Sequence, residues 1–265
     1  MNNTEDRLLD IKKLSVSYLN RGVFTKAVED ADLFIRKGEM IGLVGESGCG
    51  KSSLALAILR LIDPPGKIDG EIIWKGSDIM KFSSSEMREV RGGDISMVFQ
   101  DPFSSLNPVL KVGEQIAEIF RIHQDYPKKE AWDMAVEMLK KVHIDDPEKR
   151  ANDYPHQFSG GMKQRVAVAV ACALSPDLII ADEPTTALDV TMQKSILELL
   201  KELKITILFI SHNIALVSSF CGRIYVMKDG RIVEEGAAEN IVNDPKDPYT
   251  AKLVNSFKEL SIGAA

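Results

Sequence analysis

Three short segments of the chain are apolar almost without interruption. They are "MIGLVG" (40–45), "LIIAD" (178–182) and "ITILFIS" (205–211). Runs of this length, rich in branched residues, predict strands buried on both faces of a parallel sheet. Between the second and third, "TMQKSILELLKEL" (191–203) repeats its apolar positions at helical spacing, which makes a β-α-β unit. "SSLALAILRLI" (52–62) predicts a helix stopped by "DPPG" (63–66). "RIYVMKDGRIVEEG" (223–236) holds two alternating runs joined by Asp229-Gly230, a hairpin signal. The stretch from about 101 to 175 differs. "VGEQIAEIFRI" (112–122) and "KKEAWDMAVEMLKKV" (128–142) are amphipathic, with Trp132, Ala135, Leu139 and Val142 on one core-facing stripe, and no strand pattern appears before 178. The pattern predicts an α/β core carrying an inserted helical lobe.

Composition narrows the class. At 45% hydrophobic and 27% charged residues the chain is an ordinary globular one. A net charge of −6 announces no nucleic-acid partner. The longest compact apolar run, "VAVAVACAL" (166–174), falls short of the ~20 residues that span a bilayer. The polar, acidic start "MNNTEDRLLD" does not read as a secretory signal. Cys49, Cys172 and Cys221 are odd in number and far apart. They imply neither a zinc site nor a disulfide framework, and a reducing compartment is expected. Cys172, on an apolar helix, is expected as a small buried side chain.

The chemistry concentrates where the first buried strand meets its helix. Gly45-Glu46-Ser47-Gly48-Cys49-Gly50-Lys51-Ser52 fits G-x-x-x-x-G-K-[ST]. Glycines let such a loop curl so that successive N–H groups converge on a phosphate, and the following helix adds its positive end. Lys51 then reaches the outer phosphates and the Ser52 hydroxyl can ligate Mg²⁺. In "LIIADEP" (178–184) a buried strand delivers Asp182 at its C-terminal end, suited to a magnesium contact. Glu183 follows, placed to accept a proton from an attacking water. Because it precedes Pro184, an extended backbone is expected there. "FSGGMKQR" (158–165) opens an apolar helix with Ser159 as cap and Gly160 and Gly161 exposing backbone N–H groups. In "FISHN" (209–213), His212 sits just past a strand end. His123, His143 and His156 lack such a placement and are expected on the surface.

Taken in order, these elements resemble the ATP-binding cassette (ABC) family of transport ATPases over roughly residues 8 to 250. The Walker A loop corresponds to 45–52, and Gln100 stands in "VFQDP". The signature is "SGG" (159–161), Walker B is 178–183, the D-loop is "ALD" (187–189) and the switch histidine is His212. The resemblance implies a P-loop NTPase (RecA-like) core with an N-terminal antiparallel β subdomain and an inserted α-helical signature subdomain. It implies one domain over 8–253, with the core lobe at about 8–100 and 176–240, the helical lobe at about 101–175, and a short tail at 254–265.

By the same resemblance Tyr18 stacks on adenine and Gly45 to Ser53 cradle the phosphates of ATP. Ser52, Gln100 and Asp182 serve Mg²⁺. Glu183 activates water and His212 steadies the γ-phosphate, with Gln100 counted among these catalytic residues. Ser159, Gly160 and Gly161 act on the nucleotide of the opposite subunit, and Asp189 serves communication within the dimer. "QDPFSSLNP" (100–108), "DEPTTALDVTMQ" (182–193) and "DPKDPYT" (244–250) resemble more narrowly the oligopeptide, dipeptide and nickel importers. In that group the ATPase lies on the cytoplasmic face of the membrane. It pairs with a second, usually different, cassette, docks on two permeases and serves an extracellular binding protein; the loop after Gln100 meets a permease helix. Met162 and Lys163 stand where many signatures have glutamine and arginine, and Asn213 where aspartate is usual. The chain stops about fifteen residues after "DPYT" without a cysteine-bearing tail, so no iron–sulfur cluster is expected. Soluble cassettes of DNA repair or translation carry a long coiled-coil insertion or a second cassette, for which there is no room. Glu183 and His212 argue against an ATP sensor that does not turn over.

Overall fold

A computed structural model describes residues 6–101, 106–186 and 188–262, with side chains described through 257. In chain order the strands are β1 (Arg7–Asn20), β2 (Val23–Arg36), β3 (Met40–Val44), β4 (Lys67–Trp74), β5 (Ser77–Asp78), β6 (Ile95–Val98), β7 (Leu178–Asp182), β8 (Thr206–Ser211), β9 (Arg223–Lys228) and β10 (Arg231–Ala237). The chain divides into two compact units, Met1–Met87 with Thr206–Ala265, and Arg88–Ile205.

The first unit holds an antiparallel sheet in the order β2-β1-β4-β5. Its central strand buries Leu9, Ile11, Leu14 and Val16, with an irregularity between Ile11 and Leu14 that resets the alternation. Leu9 pairs with Ile35 on one side and Trp74 on the other; Ile11 pairs with Leu33 and Ile72. Apolar residues opposite one another on both neighbours fix the register, because a one-residue slip would turn the whole set outward. Beside it, β3 runs parallel to both β8 and β9, and β10 closes back on β9. Ile41, Leu43, Val44, Ile207 to Ile210 and Ile224 to Met227 are all fully buried, as unbroken apolar strands predict. The β9–β10 hairpin turns at Asp229 and Gly230 with φ of 46° and 82°, the positive pair that a two-residue turn needs. Gly42 lets the helix Ile214–Phe220 close on β3; a Cβ there would lie 2.1 Å from Val217 Cγ1.

The expected helix at 52–62 is shorter than its pattern. It spans Lys51–Ile58 and stops before "DPPG" is reached. Arg60 takes φ +50°, and Leu61 N–H bonds back to Leu56 C=O, the closing geometry usually supplied by glycine. The Arg60 guanidinium then donates to Ile79 C=O and Phe82 C=O at 2.9 and 2.6 Å. Tertiary hydrogen bonds end this helix, which no local residue announces.

The second unit pairs β6 with β7 in parallel, Ile95 opposite Leu178 and Val98 opposite Ala181. Its helices include Val112–Gln124, Lys128–Lys141, Gly160–Cys172 and Val190–Glu202. Val112, Ile116, Ala117 and Phe120 form the buried face of the first. In the second the buried face is Ala131, Ala135, Met138 and Leu139, continued by Val142, while Trp132 is only half-buried at its edge. Arg165 links three of these elements, donating to Val142 C=O at 2.6 Å and to Ser195 Oγ at 2.5 Å. The three cysteines are buried and not in disulfides, and burial pushes the Cys172 thiol up to about 12. His123, His143 and His156 are exposed, as expected. Among the described residues no helix is long and apolar enough to cross a membrane.

Candidate functional site

In the first unit, Val44 at the end of β3 lies opposite Ser211 at the end of β8. The glycine-rich loop that follows Val44 and His212, which follows Ser211, therefore leave the sheet at the same edge. This is the carboxyl edge, where open α/β sheets bind ligands. His212 is exposed there.

The glycines of the loop do different work. Gly48 and Gly50 take φ of 80° and 110°. Gly45 is needed for room, since a Cβ would sit 2.1 Å from the Met227 carbonyl oxygen. Gly50 needs room as well as freedom, with Ala27 O at 2.2 Å from the same hypothetical atom. Residues Glu46 to Gly48 are exposed and Cys49 to Lys51 are buried, so the loop tip faces outward over a packed base. Helix Lys51–Ile58 makes its first bond from Leu54 N–H to Gly50 C=O. The N–H groups of Lys51, Ser52 and Ser53 precede it and have no intrahelical acceptor, which suits an anion.

Lys51 is only 5% exposed. Its ammonium donates to Gly45 C=O at 2.8 Å and Glu46 C=O at 2.9 Å, with Cys49 Sγ at 3.8 Å. The cation is thus held inside the curl of the loop by the loop's own carbonyls. Tyr18, on β1, donates its hydroxyl to Ser53 Oγ at 3.2 Å, which brings the expected aromatic beside the start of the helix.

In the second unit, β6 and β7 end together, and Gln100 and Glu183 each stand two residues beyond the paired Val98 and Ala181. Gln100 Nε2 donates to Glu183 Oε2 at 3.1 Å, and Thr186 Oγ1 donates to the same oxygen at 2.8 Å. Asp182, the last residue of β7, is buried at 5% exposure. The extended backbone expected at Glu183 is not found. The strand stops at Asp182 and Glu183 takes φ +47°, in the left-handed region. Thr186 N–H bonds to Glu183 C=O at 3.3 Å. This turn and the two side-chain bonds override the local preference of a residue before proline. Thr186 was missed by sequence reasoning; a hydroxyl three residues after an acid at a strand end is the signal available.

The signature segment behaves as a capped helix start. Ser159 Oγ accepts from Met162 N–H at 3.3 Å. A Cβ on Gly160 would have only Leu188 Cδ2 near it, at 3.9 Å, whereas Gly161 is buried and a Cβ there would lie 1.9 Å from Met192 Cε. Asp189 caps Val190–Glu202 by accepting from Met192 N–H at 3.0 Å. Gln193 donates to Thr185 C=O and Leu188 C=O, both at 3.1 Å, and so ties the turn after Glu183 to that helix. Ala187 of the D-loop and residues 102–105, the loop expected to meet a permease, lie outside the described residues.

The oxygens of Ser52, Gln100 and Asp182 are hard donors of the kind Mg²⁺ takes. With Nε2 of Gln100 given to Glu183, its amide oxygen is the atom it offers to a cation.

Comparison with known proteins agrees with this chemistry. The sequence pattern of the ABC transporter family matches residues 28–186. The chain is 47% identical over 260 residues to a probable peptide ABC transporter ATP-binding protein of Sinorhizobium fredii, covering 96% of this chain and 78% of that one. It is also 47% identical over 260 residues to an oligopeptide transport ATP-binding protein of Bacillus subtilis, at 96% and 73% coverage. A dipeptide transport ATP-binding protein of Haemophilus influenzae shows 47% identity over 261 residues, at 97% and 79% coverage. Among solved structures, the dimeric post-hydrolysis state of the ATP-binding cassette MJ0796 bound to ADP and Pi superposes with a TM-score of 0.77 at 30% identity, covering 87% of this chain and 98% of that one. CbiO1 of Clostridium perfringens, part of an ABC transporter complex, does so at 0.76 and 29% identity, covering 91% and 92%. A phosphate-loop strand edge, a braced acid after a second strand and these likenesses converge: the chain belongs to the ABC transporter family, as one of its ATP-binding ATPase subunits.

Proposed function

We propose that this subunit hydrolyses ATP to energise a membrane importer of peptides, nickel or metal chelates. Peptides are the cargo class its relatives' names favour. The amides of residues 45–53 hold the triphosphate, Lys51 faces its outer phosphates and Tyr18 stacks on the base. Ser52, Gln100 and Asp182 are the oxygen donors to Mg²⁺, which when bound offsets phosphate charge. Glu183 accepts a proton as water attacks the γ-phosphorus and ADP leaves; His212 donates to a γ-phosphate oxygen. Ser159, Gly160 and Gly161 act on the ATP of a second cassette, and Asp189 serves the communication between the two. The partner is a different cassette, the whole of 8–253 acts as one domain with its helical lobe at about 101–175, and two permeases hold the pair at the cytoplasmic face.

The observation that carries this reading is the loop itself. A buried ammonium held at 2.8 and 2.9 Å by Gly45 and Glu46 carbonyls, beneath the exposed loop tip of residues 46–48, is a preformed seat for an anion. Lys51→Ala removes that cation. Titration calorimetry should show ATP affinity falling at least about 30-fold, as expected for losing a charge-assisted bond of ~2 kcal/mol or more. Unchanged affinity would contradict the assignment.

A further inference from the structure

We propose that Tyr249 is a positioning residue for nucleotide binding, its hydroxyl fixing the peptide plane that holds the Lys51 ammonium. This rests on the reading of residues 45–53 as the triphosphate seat.

The Gly45–Glu46 peptide is a planar trans unit, so its C=O and N–H point in opposite directions. On one side Gly45 C=O accepts from Lys51 Nζ at 2.8 Å. On the other Glu46 N–H donates to Tyr249 Oη at 2.9 Å. One rigid plane thus stands between a side chain of the phosphate loop and a side chain about two hundred residues later. A rotation of that plane moves the carbonyl that locates the ammonium. The loop beyond it passes through Gly48 and Gly50, both at positive φ, where no Cβ limits the backbone, so an external anchor at its first peptide helps to fix the curl.

Tyr249 is itself held from several directions. Its ring is buried, with Lys228 Nζ 5.1 Å from the ring centre. Asp247 Oδ1 accepts from Tyr249 N–H at 2.8 Å. The backbone before it is clamped by one carboxylate: Glu234, on β10, accepts from Lys246 N–H at 2.8 Å through Oε1 and from Asp247 N–H at 3.0 Å through Oε2. The same hairpin reaches the loop directly, because Gly230 N–H donates to Cys49 C=O at 2.9 Å. Burial pushes the Tyr249 hydroxyl above the usual tyrosine range, so it stays protonated at neutral pH. The segment "DPKDPYT" thereby acquires a physical task, that of braking the Walker A loop from behind.

The test uses the full chain with Tyr249→Phe, which removes one oxygen and keeps the ring. Amide exchange measured without nucleotide should show Glu46 N–H exchanging faster than in the wild type. ATP affinity and KM should weaken roughly fivefold, the equivalent of one net hydrogen bond of about 1 kcal/mol, with kcat at saturating ATP kept within about twofold. Glu234→Ala, which releases the clamp, should reproduce the KM effect, and Glu234→Gln, which keeps one acceptor oxygen, should recover part of it. The double variant Tyr249→Phe with Glu234→Ala should be no worse than either single one. Equal Glu46 exchange and equal affinity in Tyr249→Phe would overturn the proposal. So would a parallel loss of kcat and melting temperature, which marks a merely structural tyrosine. Should the wild type fail to bind ATP, the phosphate-seat reading falls, and the nucleotide-free exchange comparison still decides whether Tyr249 holds this amide.

Discussion

Glu183 carries the sharpest consequence of any single residue. Two neutral donors, Gln100 Nε2 and Thr186 Oγ1, converge on its Oε2. They orient the carboxylate. Glu183→Gln keeps the shape and removes the proposed base, so steady-state phosphate release should fall at least about 100-fold while ATP affinity stays within a few-fold. Wild-type turnover in that variant would take Glu183 out of the chemistry. Thr186→Val tests the orientation separately. The site is solvated, so the loss is moderate: kcat should drop about three- to tenfold with KM nearly unchanged. A rise in KM alone would show that Thr186 serves binding instead.

At the scale of elements, Arg223 is the joint of the first unit. From β9 its guanidinium donates to both oxygens of Glu39 at 2.8 and 2.9 Å, to Phe34 C=O at 2.7 Å and to the Tyr225 hydroxyl at 2.8 Å. It also lies 4.1 Å from the centre of the Phe34 ring. Strand β2 of the antiparallel sheet is thereby fastened to β9 and to the turn before β3. Arg223→Ala strips these partners at once and should lower unfolding free energy by about 2–4 kcal/mol in denaturant titrations. The pair also carries a pH dependence. Burial raises the Glu39 carboxyl, but the Arg223 hydrogen bonds and the Arg36 N–H outweigh it and hold the group below its ordinary 4.5. A carboxyl depressed in the folded state adds stability above pH 4.5, and that contribution is lost as pH falls through the folded value. Stability of the wild type should therefore decline on acidification below pH 4.5 more steeply than that of Glu39→Gln. Parallel curves would remove Glu39 from the linkage.

For the whole molecule the question is assembly. Ser159 is exposed at the start of its helix with Gly160 half-buried beside it, and Val190, beside Asp189, is 82% exposed. Surface of this kind next to the signature fits a second cassette that closes on ATP. A dimer of unlike cassettes predicts that Glu183→Gln with ATP and Mg²⁺ stays monomeric in light scattering when alone. It should double in mass only when the second cassette is added. A dimer formed by this chain alone would replace the unlike pair with a like one.

Apolar runs and glycine punctuation were enough to read the buried strands at 40–45, 178–182 and 205–211, the Asp229-Gly230 hairpin and the phosphate loop. These depend on local forces, namely burial of branched side chains and backbone freedom at glycine, which a short window contains. The alternating β1, β2 and β4 were reached only through resemblance. Three things needed the folded chain. Helix Lys51–Ile58 ends early because Arg60 finds carbonyls at Ile79 and Phe82. Glu183 leaves the extended backbone where Gln100, 83 positions away, bonds its carboxylate. Tyr249 meets Glu46 across 203 positions of sequence. Hydrogen bonds between residues far apart in the chain leave no periodicity to read, so only tertiary structure could decide them.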